Sequence, residues 1–529
     1  MTKMTWRYNT RECGGAWQQV ARSACAISCT ARHSLAPICA TVRATLLFLA
    51  GVLLSQATLA GSYTLAINNG RVIDPESGLD EVRHIGIQGD TIATVSTRPL
   101  QAQSVIDAEG LVVSPGFIDL HTHSPTPLGQ YYQAFDGVTT ALELEAGHFP
   151  VRAYGGAIAD QPIINFGASA GYIGIRMFEK NGLKMGDAMG TPQPQGIKGW
   201  QTVIMYLFTD VDRALAPSLR EPADQEELAR MRRLLLKQLD AGALGIGLAL
   251  DYFSEAIKPA EMDMIFQAAA QYQVPVFVHI RRGIDGDPTG LREVIDLARR
   301  HGSSVHVCHI SHNAISNLSY FLALIEDAQH EGIDITTEVL PYNAGSALIS
   351  SAVFGRDWQT IFNITYEDVE WAATGERFDK AMWQEYRAEH PDGQVIHHYL
   401  QESWTRQAVR EPGVIIVSDL LAMETRDKKV APHNGAFSKV LGRYVREQQV
   451  LDLPTALAKM TLLPARRLET FAPAFQRKGR LREGMDADLT VFDPATILDN
   501  ATYQEPYREA TGIEHVIVNG QPVIRNGQR

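Results

Sequence analysis

Between residues 116 and 419 the chain alternates between two kinds of pattern. Apolar runs rich in β-branched residues occupy 116–123, 137–145, 162–167, 244–250, 274–279, 305–309, 333–339 and 414–419. Such runs read as strands buried on both faces. Stretches with apolar residues at helical spacing stand between several of them, at 225–241, 260–272, 291–301 and 318–331. Eight strands in this alternating order predict a closed parallel (β/α)8 barrel of the TIM type rather than an open sheet. Two connections, 170–243 and 341–413, are long. Long loops at the ligand end of a barrel usually shape a substrate pocket.

On either side of this region the pattern changes to short alternating runs. Residues 63–67, 71–74, 85–90 and 91–95 are β-rich, and Asn68-Asn69-Gly70 and Gly89-Asp90 between them read as hairpin signals. The same texture returns as a strand at 487–493 and as a strand, a turn and a strand over 514–524. Matching β segments at opposite ends predict one small β domain built from both termini. The expected divisions are a leader at 1–60, the first part of this β domain at 61–117, a barrel at 118–465 and its second part at 466–529.

Composition changes this picture only at the start of the chain. The 529 residues are 45% hydrophobic and 20% charged, ordinary values for a globular protein. The net charge of −12 argues against a nucleic-acid partner. The first 60 residues differ, with six Lys and Arg against one acid, then an apolar run at 44–54 and a small-residue exit ending at Ala60-Gly61. That succession describes a secretory signal peptide and a periplasmic or secreted protein, with an uncleaved membrane anchor as the rival. No stable membrane insertion is expected after its removal. Cys13, Cys25, Cys29 and Cys39 all lie in this leader, so Cys308 is left without an internal disulfide partner.

The chemistry gathers at strand ends. His121 and His123 alternate on an extended strand, so both imidazoles face one side. Glu143 and Glu145 end the second strand, His279 the fifth, His309 the sixth and Asp419 the eighth. Each has a plainer interpretation. A lone strand histidine is more often a hydrogen-bonded core residue, and His306, His312, His397, His398 and His433 are taken that way. Glu143 or Glu145 could pair with an arginine, and Asp419 could cap a helix. Together, however, four imidazoles and at least two carboxylates at one rim would hold one or two divalent ions, zinc first. A bound metal lowers the pKa of water and polarises a carbonyl. Asp419 would take the proton from that water and give it to a leaving nitrogen.

These residues resemble a known group. Pro115-Gly116-Phe117-Ile118-Asp119-Leu120-His121-Thr122-His123 is similar to the first-strand signature of the amidohydrolase superfamily. Asp136-Gly137-Val138-Thr139-Thr140, Val278-His279-Ile280-Arg281, Leu340-Pro341-Tyr342-Asn343 and Ala487-Asp488-Leu489-Thr490-Val491-Phe492-Asp493-Pro494 narrow the resemblance to the N-acyl-D-amino-acid deacylases, or D-aminoacylases. It spans about residues 62–529. It implies a metal-dependent barrel beside a β-sandwich, His121, His123, His279 and His309 as ligands, and Asp419 as catalytic acid/base.

The chain departs from that pattern in three places. Where the family has a cysteine ligand after the second strand, this chain reads Glu143-Leu144-Glu145-Ala146-Gly147. Glu145 is favoured as the replacement because it lies nearer the strand end. Ser311 replaces a lysine, and Ala431-Pro432-His433 lacks the arginine of a His-Pro-Arg motif. Arg281, Arg176, Tyr252 and Tyr342 are the candidates to meet the substrate's carboxylate instead. The expected activity is deacylation of an N-acyl-D-amino acid or related small amide. Hydrolysis of a cyclic amide, lactone or dipeptide, and a non-catalytic metal-binding barrel, are the alternatives.

Overall fold

Eight short parallel strands form the centre of the molecule: Phe117–Asp119, Val138–His148, Asn165–Gly171, Ile246–Ala249, Val276–His279, Val305–Val307, Ile335–Val339 and Ile415–Ile416. They pair in chain order, each parallel to the next. The ring closes between its first and last members. The Asp419 N–H donates to the His121 carbonyl at 2.8 Å, and the His123 N–H to the Leu420 carbonyl at 2.7 Å. The computed structural model describes residues 63–184, 193–208 and 211–529. The expected leader and its four cysteines lie outside the described residues. Among the described residues no helix is long and apolar enough to cross a membrane.

The barrel strands are apolar throughout because helices cover their outer faces. Thr289–His301 shows how: Leu291, Val294, Ile295 and Ala298 recur at three- and four-residue spacing and are all buried, while Arg299 and Arg300 end the helix on the solvent side. Gln225–Asp240 begins with a capping box, in which Asp224 accepts from the Glu227 N–H and Glu227 from the Asp224 N–H.

The terminal segments meet in one eight-stranded sheet. Val112–Pro115 pairs antiparallel with Leu489–Phe492, which joins the N-terminal strands to Ile513–Val518 and Gln521–Arg525. Leu65, Ile67, Val72, Ile85, Val113, Leu489, Val491 and Ile517 form a separate apolar core there. One expected turn is corrected. Gly89-Asp90 does turn the chain between strands Leu79–Gln88 and Thr91–Ser96, but Asn68-Asn69-Gly70 does not. Tyr63–Asp74 is a single strand with a bulge between Ile67 and Gly70, and Asn69 takes a left-handed φ of 64°. A Cβ at Gly70 would come within 2.5 Å of the Val113 side chain, so close packing, not chain reversal, calls for this glycine.

The two long connections are folded units rather than plain loops. Residues 341–413 carry a three-stranded antiparallel sheet, Gly345–Leu348, Gln394–His397 and Val369–Trp371. Phe354, Trp358, Phe362, Phe378, Trp383 and Tyr399 give it its own aromatic core. The described residues of the connection 170–243 hold four helices, from Tyr172–Asn181 to Gln225–Asp240.

Candidate metal centre

The first barrel strand delivers His121 and His123 past its end, and the ring edges meet with centroids 5.0 Å apart. Asp119 anchors the strand. Its carboxylate accepts from the N–H groups of His121 and Ser418 and from the Ser418 hydroxyl, tying strand one to strand eight. Burial pushes its carboxyl up to about 7 against those hydrogen bonds.

His309 and Asp419 are held in left-handed backbone, at φ 33° and 49°. A non-glycine residue there costs about 1–3 kcal/mol and persists only where surrounding structure demands it. Both come within three residues of the end of a barrel strand, and both side chains reach the same rim as His121.

Glu145 stands between two pairs of imidazoles. Its Oε2 lies 3.3 Å from His121 Nε2 and 3.4 Å from His123 Nε2. Its Oε1 lies 2.9 Å from both His279 Nδ1 and His309 Nε2. Asp419 Oδ1 is 3.4 Å from the Nε2 atoms of His121 and His123, which are themselves 3.2 Å apart. Five spacings among these four atoms thus fall between 3.2 and 3.4 Å. A regular tetrahedron of that edge has its centre about 2.0 Å from each corner, the length of a zinc–nitrogen or zinc–oxygen bond.

The hydrogen bonds behind the cage support the same conclusion. His121 Nδ1 meets Glu338 Oε1 at 2.5 Å, and His123 Nδ1 meets Glu143 Oε2 at 2.7 Å. Each ring therefore gives its Nδ1 hydrogen to a carboxylate and turns Nε2 inward, where the neutral ring offers a lone pair. Two lone pairs and two carboxylate oxygens then face one another, a donor set that suits a cation. The titration behaviour has the same origin. Burial alone would lower His121 and His123, but the surrounding carboxylates, Asp419, Glu145 and Glu338 for one and Glu143 foremost for the other, hold both well above the ordinary histidine range. Asp419 is held below the usual carboxylate range, because the charges of His121 and His123 outweigh its burial. It is also the most accessible member of the cage, its side chain 21% exposed against 6% for Glu145 and 1% for His121.

The structure brings His121, His123, Glu145, His279, His309 and Asp419 together as expected, and it separates Glu145 from Glu143. Glu143 sits behind His123 and also accepts the Ala146 N–H. Two of the four expected substrate residues are corrected. Arg176 is fully buried, bound to both oxygens of Glu261 at 2.5 and 2.6 Å and to the carbonyls of Ser218 and Glu221. Arg281 is spent on Glu293 and the carbonyls of Ser254 and Ile257. Both guanidinium groups hold connections together and have no fork left for a ligand. Tyr252 lies nearer, with its ring edge against His279 at 5.3 Å. Tyr342 is buried and stacks at 4.6 Å on His433, which donates to the Asp419 carbonyl at 2.9 Å, so it supports the turn that carries Asp419.

Glu338 was not among the expected residues. It is the penultimate residue of the seventh strand and joins His121 to His306, whose Nε2 lies 2.9 Å from its second oxygen. The available signal was a carboxylate near the end of the one strand of the last four at which no functional residue had been placed. The His121 charge outweighs burial and holds Glu338 down at about 2. Glu338→Gln is expected to weaken metal affinity about 10- to 100-fold, because an amide cannot fix the His121 tautomer as a carboxylate does. Competition with a metal chelator would measure it, and unchanged affinity would refute the role.

Comparison with known proteins agrees with this geometry. Residues 112–523 match the model of the amidohydrolase family. An N-acyl-D-glutamate deacylase from Alcaligenes xylosoxydans xylosoxydans is 30% identical over 87% of this chain and 93% of its own length. A D-aminoacylase from the same organism is 27% identical over 87% of this chain and 94% of its own. Among solved structures, an N-acyl-D-glutamate deacylase from Bordetella bronchiseptica, complexed with zinc and a phosphonate inhibitor, shares the fold with a TM-score of 0.69 at 24% identity, covering 88% of this chain and 98% of that one. The chain belongs to the amidohydrolase family and is a metal-dependent hydrolase of carbon–nitrogen bonds other than peptide bonds.

Proposed function

We propose that the protein removes the acyl group from an N-acyl-D-amino acid or a related small amide. In this scheme His121, His123, Glu145, His279 and His309 hold zinc, as one or two ions, and Asp419 is the acid/base. The observation that carries the proposal is the division of Glu145 between two imidazole pairs, with the more exposed Asp419 carboxylate beside it. The similarity to the curated deacylases supports the substrate class. Zinc bound there would lower the pKa of a water molecule and polarise the scissile carbonyl.

The chain's own residues do the rest. Asp419 stays ionised at neutral pH and so can accept the proton of the attacking water. It then delivers that proton to the amide nitrogen as the C–N bond breaks, giving a free carboxylic acid and a free amine. Glu338 and Glu143 keep the two first-strand imidazoles in orientation throughout. Glu145 joins the two halves of the site and balances their charge.

Product analysis tests this directly. The zinc-loaded protein is expected to release free amino acid from N-acyl-D-amino acids and to prefer them to their L forms. Turnover of hydantoins or lactones with N-acyl amino acids left intact would overturn the substrate class.

A further inference from the structure

The substrate class proposed above carries a carboxylate, and Arg281 and Arg176 are not free to meet it. The next residue is. Among the described residues, Arg282 makes one side-chain hydrogen bond, from Nε to Asn313 Oδ1 at 3.3 Å, and no described carboxylate pairs with its guanidinium. The neighbouring acid, Asp251, is already engaged. It takes the Arg282 backbone N–H at 2.9 Å and both nitrogens of the Arg356 fork at 3.0 and 2.7 Å. Lys439, another cation of this region, is also committed, over the Tyr342 ring at 3.9 Å and 4.0 Å from Asp499.

Placement joins this unspent fork to the metal centre. Arg282 comes three residues after His279, and its guanidinium lies over the Phe362 ring at 5.5 Å. Its Asn313 partner comes four residues after His309. Tyr252 packs on His279 from the same side, and the Tyr399 ring sits 4.7 Å from Phe362. A planar cation in an aromatic setting at the edge of a catalytic rim is suited to bidentate recognition of a carboxylate.

We propose that Arg282 recognises the substrate's carboxylate and thereby sets the enzyme's preference for acidic amides, with Phe362 positioning the guanidinium. This deepens the deacylase proposal and rests on it. The Asp419→Asn protein, loaded with zinc and unable to turn over, is the background for the test. There N-acetyl-D-alanine is expected to bind about 10- to 100-fold more tightly than N-acetyl-D-alaninamide by calorimetry, as expected for a charge-assisted pair. Adding Arg282→Met removes that preference, and Arg282→Lys restores part of it. Circular dichroism and zinc content show that each variant is folded and loaded. Equal binding of acid and amide when Arg282 is present, including binding of neither, overturns the proposal, as does a preference that survives Arg282→Met. The deacylase proposal is decided separately, by product release from the wild-type protein. If that release fails, the comparison of acid with amide still decides Arg282, because it is an equilibrium measurement without turnover.

Discussion

Asp419→Asn is expected to lower kcat by about 10³-fold or more while leaving zinc content unchanged. The substitution is well suited to the position. Asparagine tolerates left-handed backbone better than most residues, so the turn at φ 49° can be kept. The amide retains an oxygen where Asp419 Oδ1 faces His121 and His123 at 3.4 Å. What it loses is the ability to take and return a proton. Steady-state kinetics beside metal analysis of the same preparation separate the two functions. Turnover within tenfold of wild type would remove Asp419 from its role, and loss of zinc together with turnover would make it chiefly a ligand.

The second large effect is expected at Glu145. Its two oxygens are divided between the His121–His123 pair and the His279–His309 pair. Glu145→Ala removes the anion common to both and leaves four buried imidazoles with a weaker claim on any cation. Metal affinity should fall by at least about 100-fold, more than for loss of an outer carboxylate such as Glu338, and activity should fall with it. Glu143→Gln is the informative control. Of the four imidazoles its carboxylate meets His123 alone, at 2.7 Å, so the loss there should be the smaller one. Equal losses at the two positions, measured by chelator competition, would contradict the placement of Glu145 between the pairs.

The barrel was legible because its eight strands are buried on both faces and write continuous apolar runs, while the intervening helices repeat at 3.6 residues. The cage was legible because its members fall at the ends of those runs, where a barrel collects its side chains. What could not be read lies where the chain leaves a regular period. Beyond His279 the strand ends, alternation no longer says which way a side chain points, and what separates Arg281 from Arg282 is that Glu293 takes the guanidinium of the first while the second meets only Asn313. Arg176 illustrates another limit. Its burial depends on Glu261, 85 residues away, and on the carbonyls of Ser218 and Glu221. Asn68-Asn69-Gly70 has the composition of a hairpin, yet Val113 packs so closely that the residues form a bulge. The sheet within 341–413 consists of strands three or four residues long, too short for alternation to stand out from an aromatic background.

In the proposed site two pairs of histidines share cations across one glutamate. Crystals of the zinc-loaded protein, measured at the zinc absorption edge, address this most directly. The anomalous map should show density bonded to His121, His123 and Glu145, and on fuller loading a second peak bonded to Glu145, His279 and His309. A loaded crystal with no anomalous peak within bonding distance of these side chains would contradict it.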